Sequence, residues 1–132
     1  MFKIINKILK NVRNRNTNEK GEAWTRNEID QVWRKGIIVA NYSPDVWRLD
    51  RGGIMMNFFE HGNKNSQYGW EIDHINPVSN GGKDNLENLQ PLNWVNNLEK
   101  EDQLNWSCSQ NKYNKKTQYN NNLSEYTIRV GI

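Results

Sequence analysis

The segment 68–101 constrains the fold of this chain more than any other stretch. From Tyr68 to Ile75, large apolar side chains alternate with small or charged ones, and this period of two predicts a strand. Residues 76–87 contain a proline and a Gly-Gly pair, which are typical of a loop. A second strand is predicted at Leu89–Leu92 and a helix at Trp94–Leu104. The segment therefore predicts two strands joined by a long polar loop and followed by a helix.

A known motif is recognisable in this segment. The sequence WEIDHINPVSNGGKDNLENLQPLNWVNNLEK resembles the HNH endonuclease motif. The matching residues are Asp73-His74, Pro77, Gly81-Gly82, the run Asn88-Leu89-Gln90-Pro91-Leu92, Asn97 and Lys100. The stretch is most similar to the version in which Asn replaces the final His, as in the HNH domain of CRISPR effector nucleases. A looser resemblance extends upstream through VWRLDRGG and SQYGW.

The resemblance implies an α+β fold, built on a small ββα-metal core of the His-Me finger type. We expect a basic N-terminal arm at residues 1–23 and a nuclease domain at residues 24–104, with its core motif at 68–101. Residues 105–132 are expected to form an Asn/Lys-rich, polar C-terminal tail, because they lack the apolar content of a core.

Additional helices are predicted before the core. Apolar residues within 2–12 recur with a helical period between lysines. Thr25 and Glu28 have capping-box spacing, in which each side chain accepts a hydrogen bond from the other residue's backbone N–H. A helix is therefore predicted from Arg26 to Lys35.

The expected chemistry is metal-dependent hydrolysis of a phosphodiester. Asp73 and Asn97 offer oxygen ligands suited to one divalent metal, Mg²⁺ or Mn²⁺. His74, with an ordinary pKa of about 6.5, can take a proton from the attacking water. Adjacent residues of a strand face opposite sides, so the strand has to end or twist at Asp73 if both side chains are to reach one phosphate.

Two further catalytic residues come from the motif. The resemblance implies that Asn88 braces the loop and orients the His74 imidazole through a hydrogen bond. Lys100 follows Asn97 by three positions, so both share one helix face. Lys100 either contacts a phosphate or only forms a salt bridge in the neighbourhood of Glu101, and both alternatives stay open.

Other polar residues have weaker signals. Glu71 lies on the same strand face as Asp73, and either supports the metal site or forms a surface salt bridge. Arg48, Arg51 and Lys83 are candidate nucleic-acid contacts, although ordinary exposed cations are the alternative. His61 is interpreted as a loop residue. All six tryptophans are expected to form or cover the core, namely Trp24, Trp33, Trp47, Trp70, Trp94 and Trp106.

Charge and cysteine content bound the functional classes. The net charge of +3 is unevenly distributed, since the ends are basic and residues 36–102 carry five Lys/Arg against ten Asp/Glu. This pattern is compatible with nucleic-acid binding. A single cysteine, Cys108, excludes a multi-cysteine structural zinc site. No apolar run reaches the ~20 residues of a membrane span, so we expect a soluble intracellular protein, cytoplasmic or encoded by a virus or phage.

The leading hypothesis is an HNH endonuclease that nicks or cuts DNA. One alternative is a catalytically silent ββα module that binds nucleic acid, and another is an RNA-cutting nuclease or toxin domain. DNA is the partner expected first, although the chemistry acts on a backbone that DNA and RNA share. The sequence does not fix the oligomeric state.

Overall fold

The computed structural model describes residues 15–107, which form two small antiparallel sheets and two helices. The elements are helix α1 (Arg26–Trp33), strands β1 (Ile37–Ile38), β2 (Trp47–Leu49), β3 (Met55–Asn57), β4 (Trp70–His74) and β5 (Leu89–Asn93), and helix α2 (Trp94–Lys100). This is a small α+β domain, as the sequence predicts, and its two-strand sheet followed by a helix is consistent with an HNH core.

Strands β4 and β5 form the centre of the domain. They pair antiparallel from Trp70↔Asn93 to His74↔Leu89, and all ten of their residues are buried. One face of β4 presents Trp70 and Ile72 to the main hydrophobic cluster. The opposite face packs against α2. The alternation in the sequence therefore predicts the strand correctly, but its polar residues are buried as well.

Helix α1 begins with the predicted capping box. Glu28 N donates to the Thr25 hydroxyl at 3.2 Å, and Thr25 N donates to the Glu28 carboxylate at 2.9 Å. The helix ends at Trp33, two residues before its predicted end. Its Trp33 ring lies 5.1 Å from that of Trp70, so a locally specified helix is anchored by aromatic packing on β4.

Strands β1, β2 and β3 form a second sheet that the sequence pattern does not reveal. Each has only two or three residues, which is too short to display a period of two. The apolar segment predicted at 54–59 becomes β3 and a single 3-10 turn, Phe58–Glu60.

Helix α2 is shorter than predicted. It is capped by Asn93, whose side chain accepts from Val95 N, and it ends at Lys100 instead of reaching Leu104. The following residue, Glu101, has a φ of 50°, which stops a right-handed helix. Asn96, Asn97 and Lys100 are buried, so this helix turns a polar face toward the strands.

Tryptophans form or cover the core as expected. Four are buried and two are half-buried, with Trp47 and Trp94 in the second group. Trp106 lies beyond the predicted domain boundary at 104 and packs against Leu92. The helix predicted at 2–12 and most of the predicted C-terminal tail fall outside the described residues. Within them, no helix has the length and apolar character needed to cross a bilayer.

Candidate active site

The Asp73 carboxylate lies in a buried polar cluster between β4 and α2. Gln90 Nε2 donates to its Oδ2 at 2.9 Å, and the Lys100 ammonium lies 3.2 Å from both carboxylate oxygens. Lys100 has no exposed surface, and it also donates to the His74 carbonyl oxygen at 3.0 Å. Burial raises the pKa of Asp73, and the Lys100 charge opposes that increase. Lys100 therefore forms an ion pair, as one alternative predicted, but its partner is Asp73 and not an acid beside Glu101.

Glu71 and Asn97 complete this cluster. Asn97 Nδ2 donates to Glu71 Oε1 at 3.0 Å, and both residues are almost fully buried. The Lys64 ammonium lies 4.0 Å from the other oxygen of Glu71. Glu71 is thus a buried carboxylate, 3% exposed, that pairs at this distance with a largely exposed lysine. It holds the amide of Asn97 in a defined orientation.

The donor chemistry of this cluster fits a hard divalent cation. Glu71 and Asp73 provide carboxylate oxygens, and the amide that donates from Nδ2 leaves the Oδ1 of Asn97 as an acceptor. Residues 15–107 contain no group of three His, Cys, Asp or Glu side chains placed to share a metal. Asp73 and the Asn97 oxygen are the candidate ligands in this cluster.

His74 lies on the other face of β4. Its side chain is 1% exposed, and the Trp24 ring packs on it at 5.6 Å. Asp84 Oδ1 lies 2.8 Å from its Nε2. Of the two expected alternatives, an end or a twist of the strand at Asp73, the end is not seen, because β4 runs through His74. The two side chains follow the alternation of an ideal strand and contact different elements.

Asn88 braces the loop between the strands. Its Oδ1 accepts from Asn76 N at 2.8 Å, and its Nδ2 donates to the carbonyls of Asn76 and Lys83. Gly82 closes the same turn, since a Cβ there would lie 1.7 Å from the Asn76 oxygen. The predicted hydrogen bond from Asn88 to the imidazole is absent among these contacts. The hydrogen-bond partner of the imidazole is instead Asp84, because the loop places the Asp84 carboxylate beside His74.

Comparison with protein families agrees with this arrangement. The family model described as HNH endonuclease matches residues 59–103. These residues form an HNH endonuclease domain. The match covers about a third of the chain and contains Asp73, His74, Asn88, Asn97 and Lys100. Comparisons with curated proteins and with solved structures give no match.

The three candidate nucleic-acid contacts differ in how far they are exposed to solvent. Arg48 is buried, and its guanidinium donates to the backbone carbonyls of Pro44, Arg34 and Gly36. It thus joins β2 to the end of α1, which corrects its predicted placement as an exposed phosphate contact. Its long side chain places two guanidinium nitrogens against three backbone carbonyl oxygens.

Arg51 and Lys83 remain accessible. Arg51 is exposed and stacks over Trp106 at 5.1 Å, donating to the carbonyl oxygen of that residue at 2.9 Å. It also lines a groove of about 140 Å³ together with Lys35, Ile75 and Gln90. Lys83 is exposed in the loop, and its ammonium lies 3.8 Å from a Glu19 carboxylate oxygen.

Sequence reasoning assigned no role to two residues of the HNH domain that bond to candidate site residues, Gln90 and Asp84. Gln90 stands directly opposite Asp73 in the strand register, so a correct register would have found it. Asp84 lies ten residues after His74, and only the path of the loop brings them together.

Proposed function

We propose that the HNH domain hydrolyses phosphodiester bonds in DNA, using one divalent cation, Mg²⁺ or Mn²⁺. Asp73 and the Asn97 oxygen bind the cation, and His74 acts as the general base. One observation carries this proposal. Inside the residues matched by the HNH family, Asp73 and Asn97 lie in one buried oxygen-rich cluster, and His74 is the next residue along the strand.

The cation site depends on charge balance. When bound there, a divalent cation supplies positive charge that neutralises the phosphate and the developing charge on the departing 3′-oxygen. Asp73 must be ionised to serve as a ligand. Because burial raises its pKa, the neighbouring Lys100 ammonium is what favours the charged form. Glu71 orients the amide of Asn97 through its hydrogen bond.

His74 performs the proton transfer. It takes a proton from a water molecule while the water oxygen bonds to phosphorus and the bond to the 3′-oxygen breaks. The departing oxygen takes a proton from solvent, so the ends are a 5′-phosphate and a 3′-hydroxyl. Because the imidazole is 1% exposed, the reaction requires that nucleic acid displace the Trp24 ring that packs on it.

Nucleic-acid binding involves Arg51 and Lys83 in this proposal. Arg51 lines the groove that also contains Gln90, the hydrogen-bond partner of Asp73. A phosphate in this groove would lie on the Asp73 side of the hairpin. Lys83 belongs to the loop beside Asp84, on the side of His74. Cations on both sides of β4 are suited to contacting successive phosphates of one strand.

The test is incubation of supercoiled plasmid with purified protein and Mg²⁺ or Mn²⁺, followed by electrophoresis. Nicked or linear DNA is expected with metal and not with EDTA. His74→Ala should lower the rate by about 10²- to 10⁴-fold. His61→Ala is the matched control, because it removes the other histidine of the chain.

A second candidate, the catalytically silent binding module, is favoured by one observation, the burial of His74 under Trp24. It predicts a retained gel shift of DNA without cutting under either metal. That result would replace the nuclease proposal. Cleavage of single-stranded RNA but not of plasmid would instead keep the chemistry and change the substrate.

A further inference from the structure

The His74 imidazole has one hydrogen-bond partner within residues 15–107, the Asp84 carboxylate. Asp84 Oδ1 lies 2.8 Å from His74 Nε2, a distance typical of a charge-assisted hydrogen bond. The second ring nitrogen, Nδ1, is buried and makes no hydrogen bond in this part of the chain. The two nitrogens of this ring therefore have very different surroundings.

This asymmetry fixes the tautomer of the neutral ring. A neutral imidazole carries one N–H, and an ionised carboxylate can only accept a hydrogen bond. The proton accordingly resides on Nε2, where it is donated to Asp84, and the lone pair resides on Nδ1. Of the two nitrogens, only Nδ1 is then able to accept a further proton.

Asp84 is itself held in place from two directions. Glu19 N donates to Asp84 Oδ1 at 2.9 Å, and Asp84 N donates to Glu19 Oε2 at 3.0 Å. On the loop side, Asn88 Nδ2 donates to the carbonyl of the preceding residue, Lys83, at 2.8 Å. A carboxylate fixed by its own backbone and by a segment 65 residues distant in sequence has little freedom to leave the imidazole.

We propose that Asp84 is a positioning residue for His74, which presents Nδ1 as the atom that takes the proton from the attacking water. The inference rests on the proposed function of His74 as the base. Proton uptake at Nδ1 gives an imidazolium that carries a proton on each nitrogen. The Asp84 carboxylate, still bonded to Nε2, stabilises this positive charge. Among the hydrogen bonds of residues 15–107, the Asp84 carboxylate contacts His74 Nε2 and Glu19 N, so it acts through the ring.

Kinetics of plasmid nicking test the role of Asp84 in turnover. Asp84→Ala is expected to lower kcat by about 10- to 100-fold with KM changed less than about two-fold, because orientation of the base is lost while DNA binding is kept. Asp84→Asn keeps the size and one acceptor oxygen, so its kcat should fall less. Glu87→Gln, which alters an exposed acid of the same loop, is the matched control and should cut like wild type.

A second measurement reads the ring directly. The chain has only two histidines, so ¹⁵N NMR of the imidazoles at a pH where both rings are neutral is simple to assign with His61→Ala. His74 is expected to carry its proton on Nε2 in wild type. In Asp84→Ala it should become a mixture of tautomers, while the His61 signals stay unchanged.

The outcomes separate this inference from the proposed function. If His74→Ala abolishes cutting but folded Asp84→Ala retains full kcat, the positioning role is wrong and the nuclease stands. A wild-type His74 protonated on Nδ1, or a tautomer that Asp84→Ala leaves unaltered, also overturns the inference. If wild type never cuts, the proposed function fails, and the NMR result still decides whether Asp84 sets the tautomer. Thermal unfolding of Asp84→Asn checks that any loss is not loss of the fold.

Discussion

The two faces of β4 bury their residues in different ways. Toward α2, Glu71 and Asp73 are charged side chains that are buried against Asn97 and Lys100. Toward α1, Trp70 and Ile72 enter an aromatic and aliphatic cluster. The first face depends on every charge having a partner, whereas the second depends on packing. One strand of five residues therefore carries a cluster of buried charges on one face and part of the hydrophobic core on the other.

His74 belongs to the second face by position but is polar. It is covered by Trp24 and hydrogen-bonded to Asp84, so the aromatic side of the strand carries the candidate base in a buried position. The candidate ligands and the candidate base therefore lie on opposite faces of β4. In the proposed mechanism, substrate has to reach both from the end of β4 where His74 meets the loop.

The largest expected effect concerns the face of β4 toward α2, where Glu71 and Asp73 are buried. Lys100→Met removes the ammonium and leaves the Asp73 carboxylate buried without its cation. We expect a loss of about 3–5 kcal/mol in the free energy of unfolding, measured by urea denaturation. Lys64→Met is the matched control, because Lys64 is largely exposed and 4.0 Å from Glu71, and it should change stability by less than about 0.5 kcal/mol. Equal losses in both variants would show that the buried pair is not what holds this face.

The role of the α1-facing, aromatic side of β4 is tested by comparing the free energies of unfolding of two tryptophan variants. Trp70 Nε1 donates to the Phe58 carbonyl at 3.2 Å, whereas Trp24 Nε1 is buried without a partner among the described residues. Trp70→Phe should therefore destabilise the protein by about 1 kcal/mol more than Trp24→Phe. Chemical denaturation of the two variants measures the difference. A larger loss for Trp24→Phe would mean that its contact with His74 matters more than hydrogen bonding.

The pH dependence of stability tests a further buried acid beside α2, in addition to Glu71 and Asp73. Asp50 has no exposed surface, accepts from Asn96 Nδ2 and Asn93 N, and has a pKa that burial raises. Because its folded pKa exceeds the unfolded one, its contribution to stability is full below the unfolded pKa, about 3.9. That contribution is lost as the pH rises through the folded pKa.

Comparison with Asp50→Asn isolates this contribution. The free energy of unfolding of wild type minus that of the variant should decrease as pH rises from about 3 to 7, by up to ~1.4 kcal/mol per pH unit. Urea denaturation at several pH values gives the curve. An increase with pH would mean that the hydrogen bonds to Asp50 outweigh its desolvation.

The smallest expected effect concerns the groove beside Asp73. Arg51→Gln should weaken DNA binding and reduce the slope of log affinity against log salt by about 1, because one phosphate contact is removed. Fluorescence anisotropy with a short duplex at several salt concentrations measures it. Lys20→Gln removes the same charge from the exposed N-terminal segment and serves as the control. Identical slopes for the two variants would argue that Arg51 contributes only general charge.

Local rules were enough for part of this protein. The capping box at Thr25, the strand around Ile72 and the Gly82 turn were predicted because each depends on neighbours within a few residues. The end of α2 at Lys100 was not, since the positive φ of Glu101 has no marker in its side chain. The three-stranded sheet was missed because strands of two or three residues have no periodicity to read.

The candidate site divides in the same way. The sequence by itself determined which residues are candidates for the chemistry, because the HNH motif places Asp73, His74, Asn88 and Asn97 at set spacings. Only the tertiary structure decided which residues these and their neighbours bond to. Lys100 is the buried counter-ion of Asp73, and Arg48 hydrogen-bonds to backbone carbonyls. Asp84 bonds to His74, and Glu19 holds Asp84 in place. The physical reason is that burial and hydrogen bonding depend on what packs from distant segments, and spacing along the chain does not encode those contacts.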